Sequence, residues 1–596
     1  MGFLKSFFAS LLAIFVSLFL LFLFVLILVV SSSRETEPFV RDGTVLEVRM
    51  GSTLMERPPT DPFSMLFMDP SRQPVTLQGL RSNLEKAVAD DRIEGVWFKM
   101  NNISAPWTNL IALRDEMMAF REESGKFIYV STDDIGFNEQ SYFLATAADS
   151  IFSPPETFFE FDGFFIQAVF FPDLLDKIGV EAEIFRAGDY KSAVEPFFRR
   201  DLSEESQEQL QAIVDNVADT FLSAVSERTG MTREELDNIM NTSPILTSKG
   251  AYEAGLIDKL TYPDDVENRL ETRVIENGNK KLRTITYQRY NRVKRSTAGV
   301  DKPDTKDKIA VIHASGSIMP EFDSESIFPG TEDNITYRNL SESLDKALED
   351  DNVKAIVLRI TSPGGAGSTS DLIWNKVREA AKEKPVIASM GSVAASGGYY
   401  IAMAADTIVA SSQTITGSIG VFGYVMNMQE LFNEKLGIRF DAVTSHDQAL
   451  WISPDKPMSD AARRTFQNFI DEFYDVFLER VAISRDMTVD EVRQVADGRV
   501  WTGNQALEVG LVDAIGELNT ALAIAAEKAG IEEYLIETYP KPKSIFDLFS
   551  GSAQAQVRKI FQPKIKELEY IDPIIHILTH DPRAVIARIP FDHKVH

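Results

Sequence analysis

The sequence repeats itself once, at a distance of nearly half its length, and this constrains the fold more than any single motif. Leu84-Glu85-Lys86-Ala87 matches Leu344-Asp345-Lys346-Ala347, where 344 − 84 is 260. Ala147-Ala148-Asp149 matches Ala404-Ala405-Asp406, where 404 − 147 is 257. Gly255-Leu256-Ile257-Asp258 matches Gly510-Leu511-Val512-Asp513, where 510 − 255 is 255. Three matches in one order and at nearly one shift describe the tandem duplication of a large unit. A solenoid would repeat every 20–50 residues or so. Within each copy short apolar runs alternate with helical periods, the pattern of an α/β fold. The first copy shows strands at 45–48, 95–100 and 126–130, a helix around 84–88, and further helices at 204–225 and 232–239.

The spacing divides the chain into a first unit at 38–266, a segment at 267–307, a second unit at 308–530 and a tail at 531–596. The middle segment carries Lys280, Lys281, Arg283, Arg289, Arg292, Lys294 and Arg295 and reads as a solvated, basic linker. The tail contains Pro540-Lys541-Pro542-Lys543, a linker-like run, and one possible helix at 557–568. Ahead of the first unit, residues 1–33 hold an uncharged apolar stretch at 7–30. About 20 apolar residues cross a bilayer as a helix, and a secretory h-region is usually shorter, so an uncleaved single-pass anchor is expected. Lys5 and the amino terminus favour a cytoplasmic N-terminus, with the body of the protein exported.

Composition narrows the chemistry. A net charge of −28 argues against nucleic acid as a main partner, because phosphate binding needs basic surface. The absence of cysteine removes thiol nucleophiles, thiolate metal sites and disulfides together. Only 6 histidines occur, with no HExxH pair, so no metal site is expected.

The two copies differ where chemistry would sit. In the second, an apolar run at 385–389 leads through Met390-Gly391-Ser392-Val393-Ala394-Ala395-Ser396-Gly397-Gly398 into a helical stretch at 400–405. A serine between small residues at a strand-to-helix turn can present its hydroxyl as a nucleophile. It can equally be a plain N-cap. With a shift of 257, the residue opposite Ser396 is Glu139, and the first copy also lacks the flanking glycines. The glycine run Ser362-Pro363-Gly364-Gly365 follows a strand at 355–358, and the first copy has Asn101-Asn102-Ile103-Ser104 instead. Glycines just past a strand let backbone N–H groups point at a ligand, as an oxyanion hole requires. For a base, the second copy offers His446, whereas His313 lies on a strand. The first copy offers Lys191, within Tyr190-Lys191-Ser192-Ala193-Val194-Glu195-Pro196-Phe197, opposite Ala449 at the local shift of 258. One copy has the serine and the other the lysine, which fits a site assembled across both. A salt bridge from Lys191 to Asp189 or Glu195 would instead keep the amine charged.

These stretches, together with Thr416-Gly417-Ser418-Ile419-Gly420, resemble the signal peptide peptidase A (protease IV) family in its long, duplicated bacterial form. The similarity covers about 44–518. It implies ClpP/crotonase-like units, with Ser396 as nucleophile and Lys191 as general base. It also implies oxyanion donors at Gly364, Gly365 and Gly397, and Ser418 as a second hydroxyl near the lysine. No cofactor is implied. The expected protein is a homotetrameric serine endopeptidase at the bacterial inner membrane, its catalytic body periplasmic, degrading cleaved signal peptides and other apolar peptides. A crotonase-type acyl-CoA enzyme and an inactive membrane scaffold are the competing readings.

Overall fold

The computed structural model describes residues 37–58 and 74–541, apart from 134, 243, 279–280, 322–333 and 447, together with 16–17 and 586–588. The expected anchor at 7–30 falls outside the described residues except for 16 and 17, as does the helix read at 557–568. Among the described residues no helix is long and apolar enough to cross a membrane.

The first copy contributes β1 (Thr44–Arg49), β2 (Ile93–Lys99), β3 (Phe127–Ser131), β4 (Gly136–Phe137), β5 (Ser150–Ser153), β6 (Phe158–Phe161), β7 (Glu181–Ala187), β8 (Ile245–Thr247), β9 (Lys259–Leu260) and β10 (Arg283–Thr286). Six of these form a parallel sheet in the order β10-β1-β2-β3-β5-β9, and β4-β6-β8 form a small sheet beside it. The second copy contributes β11 (Lys308–Ser315), β12 (Val353–Ser362), β13 (Gly364–Ala366), β14 (Val386–Ala395), β15 (Thr407–Ala410), β16 (Ile415–Gly417), β17 (Val421–Asn427), β18 (Val500–Thr502), β19 (Ala514–Ile515) and β20 (Leu535–Tyr539). Its sheet repeats the order as β20-β11-β12-β14-β15-β19, with β16 and β18 extending the upper half of β14. The central strands are buried on both faces, as helix-covered parallel strands are, and therefore read as near-continuous apolar runs.

The duplication extends to individual hydrogen bonds. Thr76 caps the helix Leu77–Ala89 by accepting from the Gly79 amide, and Thr336 caps Tyr337–Glu349 by accepting from Asn339. In both helices leucines at i and i+4 and an alanine at i+7 face the core: Leu80, Leu84 and Ala87, then Leu340, Leu344 and Ala347. The Lys126 Nζ donates to the carbonyls of Ala87, Val88 and Asp90, and Lys384 donates to those of Ala347, Leu348 and Asp350. The Tyr142 hydroxyl donates to the Leu256 carbonyl at 2.7 Å and that of Tyr399 to the Leu511 carbonyl at 3.0 Å.

The segment 267–307 is not a linker. It continues a helix, Pro263–Glu276, that buries Val266, Leu270 and Val274 along one stripe. It then supplies β10, an edge strand parallel to β1, and buries Tyr287 and Tyr290. Among the described residues Lys281, Arg289, Arg292, Lys294 and Arg295 are exposed and Arg283 is half-buried, and this basic run masks the apolar period in the sequence. By the same logic β20 pairs parallel with β11. The second sheet therefore extends beyond residue 530.

Two of the contacts between the copies bear on the position of the site. The strand β7 of the first copy pairs antiparallel with β17 of the second, from Val421↔Ala187 through Asn427↔Glu181. An ion pair links the half-buried Glu56 to the buried Arg359 on β12, with Nε–Oε1 at 2.8 Å and Arg359 only 3% exposed. The same guanidinium donates to Ser389 Oγ and the Met390 carbonyl, on the strand that ends at Ser396. Removing Glu56 takes the carboxylate partner from a buried guanidinium. Glu56→Ala is expected to destabilise the protein by about 3 kcal/mol, measured by denaturant unfolding against the wild type.

Candidate active site

Ser396 follows directly on β14. The strand runs through the small residues Ala394 and Ala395 to the turn, and the helix starts at Gly397, three residues earlier than the apolar pattern alone places it. At this junction Ser396 adopts φ 56° and ψ −116°, a region costly for any residue with a Cβ. Its hydroxyl makes no capping hydrogen bond, so the N-cap reading fails. The backbone is instead held by the Ser396 amide donating to the Gly417 carbonyl at 2.7 Å. The turn packs so closely against the glycine strand that a Cβ on Gly397 would lie 2.7 Å from Ser370 Oγ and 3.2 Å from Gly364 Cα. The amide of Gly364 donates to Ser362 Oγ at 3.2 Å, and Gly397 opens its helix.

Lys191 enters from the first copy, four residues past β7. Its side chain is completely buried, and Nζ lies 2.8 Å from Ser396 Oγ, 2.9 Å from Ser418 Oγ and 2.9 Å from the Ser418 carbonyl. Among the described residues no carboxylate pairs with it. Glu195 is occupied elsewhere, accepting from the hydroxyls of Ser203 at 2.6 Å and Ser206 at 2.9 Å. Burial therefore pushes the Lys191 amine well below its ordinary value of 10.5. A neutral amine has two N–H donors and one lone pair, which matches two contacts to Ser418 and one to the Ser396 hydroxyl.

The remaining candidates separate cleanly. Ser418, at φ 51°, is part of the cluster. His446 is exposed and its ring nitrogen lies 3.0 Å from Ser445 Oγ, while Lys191 takes the place beside Ser396. His313 is held on β11, its pKa pushed down to about 4 by burial and by the neighbouring Arg57. In the first copy Glu139 occupies the position of Ser396, by the shift that relates Tyr142 to Tyr399 (399 − 142 is 257). Burial, with the Asp162 carboxylate adding to it, pushes the Glu139 carboxyl up to about 7.

Two positioning residues had no sequence signal. Gln209 donates to the Tyr190 carbonyl and to Ser192 Oγ, on either side of Lys191, and accepts from the Val500 amide of the second copy. A buried polar residue inside an amphipathic helix looks like any other. Gly498, at φ 80°, backs onto the lysine: a Cβ there would lie 2.6 Å from both Lys191 Cβ and Lys191 N. An Asp-Gly pair in a loop reads only as a turn.

Comparison with known proteins gives this arrangement its context. The model of peptidase family S49 matches the chain twice, at 121–275 and 378–532. The chain belongs to peptidase family S49. It is 37% identical over 80% of its length, and 70% of the relative's, to a protein named serine protease SPPA, chloroplastic, of Arabidopsis thaliana. It is 33% identical over 82% of its length, and 77% of the relative's, to protease 4 of Salmonella typhi. A solved mutant of ClpP1 from Listeria monocytogenes covers 36% of this chain and 94% of its own at 14% identity, with a TM-score of 0.23, too low to argue from. The S49 chain is a serine protease, so the acyl-CoA reading is set aside. Gly498→Ala is expected to displace the lysine and lower kcat about 100-fold, since misplacing a catalytic group by ~1 Å has that effect. Peptide turnover, with far-UV circular dichroism to show the fold retained, checks it.

Proposed function

We propose that this S49 peptidase cleaves apolar peptides, signal peptides left in the membrane among them, by acyl transfer through a dyad of Ser396 and Lys191. The observation that carries the reading is the Nζ–Oγ contact of 2.8 Å made by a lysine with no exposed surface and, among the described residues, no carboxylate partner. In the proposed reaction neutral Lys191 takes the hydroxyl proton as Ser396 Oγ attacks the peptide carbonyl. The tetrahedral oxyanion forms beside the Gly364 and Gly397 amides, the Gly364 amide giving up its 3.2 Å hydrogen bond to Ser362 Oγ to do so; one such donor is worth roughly 2.7–4 kcal/mol. Protonated Lys191 then gives its proton to the leaving amine. Water, deprotonated in turn by Lys191, releases the acyl group and regenerates the serine. Ser418 holds the amine in place through its hydroxyl and carbonyl.

The apolar run at 7–30 supports a bilayer anchor with the catalytic body on the exported side, where an apolar peptide and the enzyme meet at one surface. The ClpP/crotonase character of the units, the further donor at Gly365 and a homotetramer belong to the same proposal.

Ser396→Ala is expected to lower kcat by about 10⁴-fold or more. Unchanged cleavage of an apolar reporter peptide by that variant would end the proposal. Lys191→Met should abolish turnover without lowering the melting temperature, because it replaces a buried amine with an apolar chain of similar length. The pH dependence has a definite sign. The base works while neutral, so kcat/KM should be full above the depressed pKa of Lys191. It should fall tenfold per unit as pH drops below that value, with a midpoint well under 10.5. A midpoint near the ordinary lysine value would remove Lys191 from the mechanism.

A further inference from the structure

Lys191 is walled off on one side by the loop 497–499, between the helix Val489–Val495 and β18 of the second copy. That loop fastens the copies to each other through its backbone. The Asp497 carbonyl accepts from the Tyr190 amide at 3.0 Å, and the Arg499 carbonyl accepts from the Ser418 amide at 2.7 Å. The Arg499 side chain takes no part in those bonds. Its Cζ lies over two rings, 5.0 Å from the ring centre of Tyr190 and 4.4 Å from that of Trp501. Its Nη1 pairs with Glu208 Oε1 at 2.8 Å, and the Tyr190 hydroxyl donates to Glu208 Oε2 at 2.6 Å. Tyr190 and Glu208 come from the first copy, Arg499 and Trp501 from the second, so four side chains form one clasp across the boundary. The Arg499 Nε is buried with no hydrogen-bond partner among the described residues. A buried N–H left unpaired costs stability, so stability alone does not explain the placement. Exposure falls inward across the clasp: Glu208 is exposed, Tyr190, Arg499 and Trp501 are half-buried, and Lys191 has no exposed surface.

We propose that Arg499 is a positioning residue for the reaction: laid between Tyr190 and Trp501 and tied to Glu208, its side chain seals the Lys191 amine from bulk water. This rests on the Ser396–Lys191 reading of the site. Water that reached the amine would solvate its ammonium form and return its pKa toward the ordinary value, leaving less neutral base. Charged and titratable groups also surround the lysine. Arg186, Asp189, Tyr190 and Glu195 lie on its own stretch, and Glu205 and Glu208 on the helix Glu204–Thr229. Asp497 and Arg499 lie across the boundary, with the Tyr474 hydroxyl accepting from the Asp497 amide. The stretches 394–398 and 416–420, which carry Ser396 and Ser418, bring no ionisable side chain but those two serines. Burial, and no charge among these, accounts for the depressed Lys191 amine. Access of water is therefore what the clasp controls.

The test compares the full-length wild type with Arg499→Ala and Glu208→Ala, circular dichroism showing which are folded. In Arg499→Ala the acid limb of kcat/KM for an apolar reporter peptide should move up by about one pH unit. Above the raised limb the rate should return to within about twofold of wild type, because the base itself is untouched. Glu208→Ala separates sealing from charge. Loss of a carboxylate acting by charge alone would lower the limb, whereas opening the clasp raises it. Glu208 is exposed, so this variant decides the matter even where Arg499→Ala fails to fold. A limb that stays put or moves down in Glu208→Ala overturns the proposal, as does a rate lowered equally at every pH in Arg499→Ala. A second readout needs no turnover and uses the Ser396→Ala protein at a pH above both limbs, where the amine is neutral. Acetylation of Lys191 by acetic anhydride, read by mass spectrometry, should be about threefold or more faster once Arg499→Ala is added. Equal rates overturn the proposal and leave the dyad standing. Full turnover by Lys191→Met ends the dyad reading, and the acetylation comparison still decides whether Arg499 shields the amine.

Discussion

The antiparallel pairing of β7 with β17 is the constraint on which the site depends. It is the one ladder in which a strand of the first copy exchanges main-chain hydrogen bonds with a strand of the second among the described residues. Lys191 lies four residues beyond the end of β7 and Ser418 three residues before the start of β17. Antiparallel registration at Val421↔Ala187 therefore brings those two loops face to face. Phe185 and Ala187 pack into the second copy's core, with Ile312, Ile360 and Phe466. A register slip by one residue would turn those side chains outward. The lysine's position is thus fixed by burial of strand residues that carry no chemistry.

Burying an amine is unfavourable unless its donors are met, and the site meets them while leaving the amine uncharged. Nearby carboxylates are kept away: Glu195 is held by two serine hydroxyls, and the Arg186 guanidinium lies 3.9 Å from it. Had Glu195 faced Lys191, the attraction would have favoured the ammonium form and removed the lone pair. The strained φ of Ser396 belongs to the same arrangement. The turn points the hydroxyl at the lysine instead of at the helix amides that a serine at a helix start normally caps.

Much of this is legible in the residues. The duplication, the α/β alternation and the exchange of a serine for a lysine between copies all follow from comparing one half with the other. That comparison works because both copies keep the same buried frame, down to Lys126 and Lys384 on equivalent carbonyls. It fails where the copies cease to be equivalent. The β7–β17 ladder joins strands at different positions of their copies, so no internal match reveals it. The segment around β10 reads as a linker because the seven basic residues between 280 and 295 outweigh, in the sequence, Val266, Leu270, Val274 and Ile285, which are buried. Gln209 and Gly498 act through backbone contacts that have no pattern in sequence. His446 is a fair candidate by residue type, and nothing in its sequence surroundings shows that it sits on an exposed loop.

The division of the dyad between copies has a consequence for synthesis and turnover of the chain. A ribosome delivers Lys191 more than 200 residues before Ser396 (396 − 191 is 205). Until β17 has emerged and paired, the lysine has no serine beside it and the half-made chain carries no assembled dyad. The same holds in reverse after a cut between the copies, which separates β7 from β17 if the halves drift apart. On the proposed Ser396–Lys191 reading, proteolytic potential in this molecule is a property of completed assembly, and it vanishes with the first break that lets the halves part.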